Sequence, residues 1–151
     1  MQTVKVAYVQ WPDGLMPEGS VWDQIRRNVD ASGADVLVTN EMPFSNWLPE
    51  NPKYEERNAT RWVSLHEKAL SSLSSLQVGA VISSRPVISG AKLANEAFVL
   101  ENGRYRYVHH KKYFPQERGF YEESWFERGK QGFEAIQVGN LRVGVLLCRR
   151  P

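Results

Sequence analysis

Cysteine is almost absent: the 151-residue sequence contains one, Cys148. A lone thiol excludes an internal disulfide and suits a reducing compartment, so a cytoplasmic location is expected. Long apolar runs are missing too. No stretch approaches the roughly 20 residues a helix needs to cross a bilayer. The opening MQTVKVAYVQ has neither the basic segment nor the apolar core of a secretory signal, and no membrane partner is expected. Nor is charge of one sign in excess: 19 basic against 17 acidic residues give a formal net charge of +2, too little to suggest a nucleic-acid partner. No P-loop or GxGxxG pattern precedes a helix, and Gly103 and Gly139 read as turn residues. Histidine is scarce, and the adjacent His109 and His110 would face opposite sides of a strand, which argues against joint ligation of a metal. They read as packing or surface residues, and neither metal nor cofactor is expected.

What is present suits a single α/β domain. A chain of this length buries about two thirds of the surface of its extended form. Thr3 to Gln10 alternates β-branched and other residues and predicts a first strand. WPDGLMPEG is loop; Ser20 then caps a helix with Val21, Trp22, Ile25 and Val29 on one face, and Gly33 ends it. Ala34 to Asn40 is a second strand, followed by Glu41 and a long loop to Asn58. Asn58 or Thr60 caps a second helix with Trp62, Leu65, Ala69 and Leu73 at helical spacing. Val78 to Ser83 and Asn95 to Leu100 supply two more strands. Asn102-Gly103 turns the latter into Arg104 to Lys111, since both residues tolerate positive φ. Gly139-Asn140 joins Glu134 to Val138 with a last strand, Leu141 to Cys148, whose nearly continuous apolar character predicts burial on both faces. Two strand–helix units followed by hairpins indicate a layered α/β fold with a mixed sheet.

Three of these elements end in reactive side chains: Glu41, Lys111 and Cys148. Carboxyl ends of strands are where α/β folds place reacting groups. Taken one at a time, each has a plainer reading: a solvated loop acid, a solvated lysine, and a small buried hydrophobe.

The segments around them resemble the carbon–nitrogen hydrolase family, also called the nitrilase superfamily, along the whole chain. ADVLVTNEMPF is similar to the segment carrying the family's catalytic glutamate, HHKKYFPQERGFYEESWFERG to the one carrying its lysine, and LRVGVLLC to the nucleophile strand. The resemblance implies that Glu41 is a general base, Lys111 an oxyanion stabiliser, Cys148 the nucleophile, and Glu122 a second glutamate that positions the lysine and substrate. Glu117 and Glu123 are close rivals of Glu122 in the same charged loop. The implied fold is α/β, the αββα sandwich of the carbon–nitrogen hydrolase type, commonly dimerised. The implied enzyme is a hydrolase of carbon–nitrogen bonds other than peptide bonds. Its segment after Lys111 is closer to the amidase-like branch, so the expected partners are water and a small-molecule amide or carbamoyl amide in preference to a nitrile. Phe44, Trp47, Tyr113 and Trp125 are candidates to line its pocket.

The same resemblance makes residues 1–151 an incomplete domain, truncated on its C-terminal side, because the family's nucleophile lies well before the end of the chain. An uncovered sheet face and edge are then expected, with a homo-oligomer at full length. Arg149 and Arg150 follow Cys148 where an acidic residue is frequent two positions on, and cations there favour a thiolate. The alternative function is an inactive or partner-dependent fragment with a binding role at most.

Overall fold

The computed structural model describes residues 2–130 and 132–147. Five strands form one mixed sheet in sequential order: β1 (Val6–Tyr8), β2 (Val36–Val38), β3 (Ala80–Ser89), β4 (Lys92–Glu101) and β5 (Arg104–His110). The first three run parallel and the last two antiparallel to their neighbours. Helix α1 (Gly19–Ser32) connects β1 to β2, and α2 (Glu56–Ser74) connects β2 to β3. Parallel neighbours require such crossovers.

Both helices cover the same face. Trp22 and Val29 of α1 and Ala69 and Leu73 of α2 are buried with Leu37, Val81, Phe98 and Leu100 of the sheet. The opposite face presents Val36, Ala80, Ile82, Ala97, Val99 and Val108. It is covered by a hairpin, β8 (Ile136–Val138) and β9 (Leu141–Val143), which brings Val138, Ile136, Leu141 and Val143 onto it. Between them lie two short strands, β6 (Gln116–Glu117) and β7 (Phe120–Tyr121), and a single-turn helix, α3 (Glu122–Trp125). The layers are therefore helix, sheet and the start of a second β layer; no outer helical layer occurs among the described residues.

Local chemistry explains most boundaries. Gly33 ends α1 in the left-handed region at φ 63°, and Asn102 and Gly103 turn β4 into β5 at φ 52° and 72°. The β3–β4 pairing is longer than the sequence pattern suggests. Pro86 looks like a strand breaker, but β3 pairs with β2 only over Ala80 to Ile82. Beyond that point one edge of β3 is open, so a residue without an N–H is tolerated there. Helix α2 starts at Glu56, ahead of the expected caps, and the Asn58 amide instead donates to the Glu55 carboxylate at 2.5 Å. Helix α1 likewise starts at Gly19, with Glu18 in the capping position instead of Ser20.

The final strand departs from expectation. Only Leu141–Val143 is regular strand, and burial alternates along residues 141–147 instead of being complete. Val145 and Leu147 pack on the sheet with Leu141 and Val143, whereas Leu146 is 72% exposed. A period of two puts every second side chain on the side away from the sheet, where the described residues provide no cover. Val6 and Tyr8 on the edge strand β1 are exposed as well, as an uncovered face predicts. No helix among the described residues is long and apolar enough to cross a membrane.

Candidate active site

Glu41 stands just beyond the carboxyl end of β2, on a turn fixed from several sides. Asn40 Oδ1 accepts the Trp11 N–H at 3.0 Å, and the Thr39 hydroxyl meets that of Ser83 at 2.6 Å. The backbone then enters sparsely populated territory, with Met42 at φ 41° and Ser45 at φ 65°. Such conformations persist where surroundings over-determine them. Here the Met42 N–H donates to Ser84 Oγ at 2.9 Å, the Phe44 N–H to His66 Nε2 at 3.3 Å, and Trp62 Nε1–H to the Phe44 carbonyl at 3.2 Å. His66 Nδ1 faces the Trp62 carbonyl at 3.0 Å, so it carries the proton and Nε2 accepts. Burial pushes His66 down to about 4, against the opposing effect of the Trp62 carbonyl. The neutral ring thus locks the turn that carries Glu41.

Lys111 directly follows β5. Its N–H donates to the Asn95 carbonyl and its carbonyl accepts from the Gly129 N–H, both at 2.9 Å. The side chain is 1% exposed, and its Nζ lies 3.0 Å from Glu41 Oε1 and 2.8 Å from Glu122 Oε2. The ammonium also lies 5.6 Å from the centre of the Phe114 ring, within cation–π range. Glu122 opens α3 and is wholly buried; its N–H donates to the Pro115 carbonyl at 3.1 Å. The loop that carries it returns past the strand ends through Glu127 N–H to the Leu93 carbonyl at 2.7 Å. Trp125 anchors α3 by donating to the Asn51 carbonyl at 2.7 Å.

The structure therefore brings Glu41, Lys111 and Glu122 together. The rivals lie elsewhere: Glu117 is exposed on β6, and Glu123 pairs with Arg128 at 2.5 Å. Cys148 lies outside the described residues, as do Arg149 and Arg150. Leu147, its neighbour in the sequence, lines a cavity of about 930 Å³ together with Glu41. The cavity opens at the carboxyl ends of β1 and β2, beside Ile82, Ser83 and Ser84 of β3, and carboxyl ends are where parallel strands place their ligands.

Of the four aromatics expected to line a pocket, only Trp47 does so. Phe44 and Trp125 are core residues, since each anchors its own segment, and Tyr113 points to solvent at 69% exposure. Phe120 and Tyr8 line the cavity instead. The two histidines go to different partners: buried His109 packs on Phe133 at 4.6 Å, and His110 meets Glu96 at 2.9 Å.

One residue of the cluster escaped the sequence reading. Asn95, on β4, is fully buried, and its amide donates to Glu41 Oε1, the oxygen that also accepts from Lys111. The available signal was a side-chain amide at a position whose alternate neighbours along the strand, Leu93, Ala97 and Val99, are apolar. A buried polar group on an apolar face calls for a reason.

A mixed sheet, helices on one face, a second β layer on the other and a buried carboxylate–lysine–carboxylate cluster at the strand ends define the architecture. It is the fold of carbon–nitrogen hydrolases. No family model and no curated relative matches the sequence. Among solved structures, the chain is similar to a carbon–nitrogen hydrolase from Helicobacter pylori G27, with a TM-score of 0.69 and 22% identity over 88% of this chain and 47% of that one. It is also similar to an amidase from Nesterenkonia sp., with a TM-score of 0.73 and 16% identity over 95% of this chain and 54% of that one. A mutant of the amidase from Nesterenkonia sp. AN1 gives a TM-score of 0.72 and 15% identity over 95% of this chain and 54% of that one. That protein carries the acetamide moiety of fluoroacetamide covalently added at its active-site cysteine. The chain thus spans about half the length of these structures.

Proposed function

We propose that this chain is part of a carbon–nitrogen hydrolase domain, comprising residues 1–151, that cleaves an amide or carbamoyl amide to an acid and ammonia or an amine. Cys148 is the nucleophile, Glu41 the general base, Lys111 the oxyanion stabiliser and Glu122 the group that holds Lys111. Glu41 takes the thiol proton, and the thiolate attacks the carbonyl carbon. Lys111 and the backbone N–H after Cys148 stabilise the negative oxygen of the tetrahedral intermediate. The intermediate collapses as Glu41 returns the proton to the leaving nitrogen, and a thioester remains. Water, deprotonated by Glu41, then hydrolyses the thioester to the acid and the free thiol.

The observation that carries this reading is the burial of Lys111 between Glu41 and Glu122, with Glu41 also reaching the cavity. As a stabilising device the cluster is a poor choice, because desolvating three charges offsets much of their attraction. As a catalytic device it is apt: charges held away from water act strongly on charge that develops beside them. The cysteine adduct in the Nesterenkonia mutant supports a thiol nucleophile on this fold. A working thiol also suits a reducing cytoplasm, and we extend the proposal to a homodimer.

The test is ammonia release from a panel of simple amides. Cys148→Ala abolishes it, and Lys111→Met lowers kcat by about a hundredfold or more, the usual effect of removing an oxyanion donor. Undiminished turnover by Cys148→Ala would sink the proposal.

A further inference from the structure

We infer that Asn95 is the positioning residue for the general base, holding one oxygen of Glu41 so that the other is the atom that exchanges protons at the cavity. The inference rests on the thiol-amidase reading and adds a residue to it. Three observations carry it.

The first is a convergence on one atom. The Asn95 amide and the Lys111 ammonium both donate to Glu41 Oε1, and no donor among the described residues is bonded to Oε2. A carboxylate with two donors on one oxygen has its plane and rotamer fixed, and the second oxygen keeps its lone pairs for a proton.

The second is the register of the sheet. Glu96 pairs with His110, and the next residues along, Asn95 and Lys111, are joined by the 2.9 Å bond from the Lys111 N–H to the Asn95 carbonyl. Residues directly opposite on antiparallel strands project their side chains to the same side. The β4–β5 ladder thus delivers both donors to Glu41 as one unit, and the backbone of Asn95 also fixes where Lys111 starts.

The third is the absence of a structural motive. Asn95 is 0% exposed, and its Oδ1 has no hydrogen-bond partner among the described residues. An amide half-satisfied in the interior is costly compared with an apolar residue of similar size. What the side chain does accomplish is the contact with Glu41. A neutral donor is also the suitable choice there. A second cation on Oε1 would hold the carboxylate more strongly in its ionised form and make it a weaker base, whereas an amide orients it with less of that effect.

Two variants and one spectrum test this. Asn95→Asp keeps the shape but exchanges a donor for a carboxylate, and Asn95→Ala removes the group. Both lower kcat for amide hydrolysis by about tenfold to a hundredfold, the value of one hydrogen bond to a charged group, while KM changes less than about threefold. In Asn95→Asp the acid limb of the kcat profile also moves to higher pH, because another carboxylate now borders Glu41. The other groups around Glu41 are Lys111 on β5, Glu122 on α3, Asp13 and Glu50 on the cavity wall and the neutral His66 beneath the turn. All of them are unchanged in the variants. A kcat and acid limb like those of the wild type in both variants overturn the inference.

The spectrum is the proton–nitrogen correlation of the side-chain amide of Asn95, assigned by its loss in Asn95→Asp. Its bonded proton lies downfield in the wild type and moves upfield in Glu41→Gln. This readout needs no turnover. A signal that responds to Glu41 supports the contact even where the thiol-amidase reading fails, and a signal that does not respond overturns the inference while leaving that reading standing.

Discussion

Lys111 Nζ and Glu122 Oε2 lie 2.8 Å apart in a place from which water is excluded, their side chains 1% and 0% exposed. Removing Glu122 leaves the buried ammonium with one carboxylate, Glu41, in place of two. Glu122→Ala is therefore expected to destabilise the fold, by less than the about 3–5 kcal/mol of a buried charge left with no partner, as measured by urea denaturation. Glu122→Gln keeps an acceptor for the ammonium and should lose less stability. Its amide hydrolysis should still fall, because the ammonium is no longer held between two carboxylates.

His66 gives the fold a pH dependence of predictable sign. Burial holds it at about 4 in the folded chain, against an ordinary value near 6.5. Between these values the unfolded chain binds the extra proton and the folded chain does not. The stability contributed by the neutral ring is fully present above about pH 6.5 and is lost as pH falls toward 4, to the extent of about 3 kcal/mol. Urea midpoints from pH 7 to pH 4 should fall more steeply for the wild type than for His66→Gln. Equal slopes would show that the ring is not buried neutral.

Gly129 is placed where no side chain fits. A Cβ there would lie 2.3 Å from the His110 carbonyl oxygen, while the Gly129 N–H holds the carbonyl of Lys111. Gly129→Ala should push the end of β5 away and displace Lys111. The expected cost is about 1–3 kcal/mol by denaturation, the range for overpacking, with a loss of turnover beyond what the lowered stability explains.

Features that depend on neighbours in the chain were legible in the sequence. Gly33, Asn102-Gly103 and Gly139-Asn140 each stop or turn an element for a local steric reason, and all three do so in the structure. The placement of Glu41 and Lys111 at strand ends was legible too. The choice of Glu122 over Glu117 and Glu123 rested on resemblance, because a charged loop carries no periodic pattern; burial and the contact with Lys111 set Glu122 apart from the other two. Asn95 was missed because its meaning lies in a partner 54 residues away. The expected third strand ends at Ser83, whereas β3 runs on to Ser89 past Pro86, because the tolerance for proline depends on which neighbour strand has already ended. The continuous apolar run before Cys148 predicts cover on both faces, and the described residues cover one of them. Hydrophobicity reports that a residue favours cover, and the fold decides which side is covered.

The central claim is that Glu41, Lys111 and Glu122 are assembled to serve Cys148 as a nucleophile. The most direct measurement is the mass of the protein, followed by peptide mapping, after rapid acid quenching during amide turnover. The account predicts an acyl group on the peptide containing Cys148 in the wild type, much less of it at the same quench time in Lys111→Met, and none in Cys148→Ala. Turnover that proceeds with Cys148 unmodified, or an acyl group carried by another residue, would contradict it.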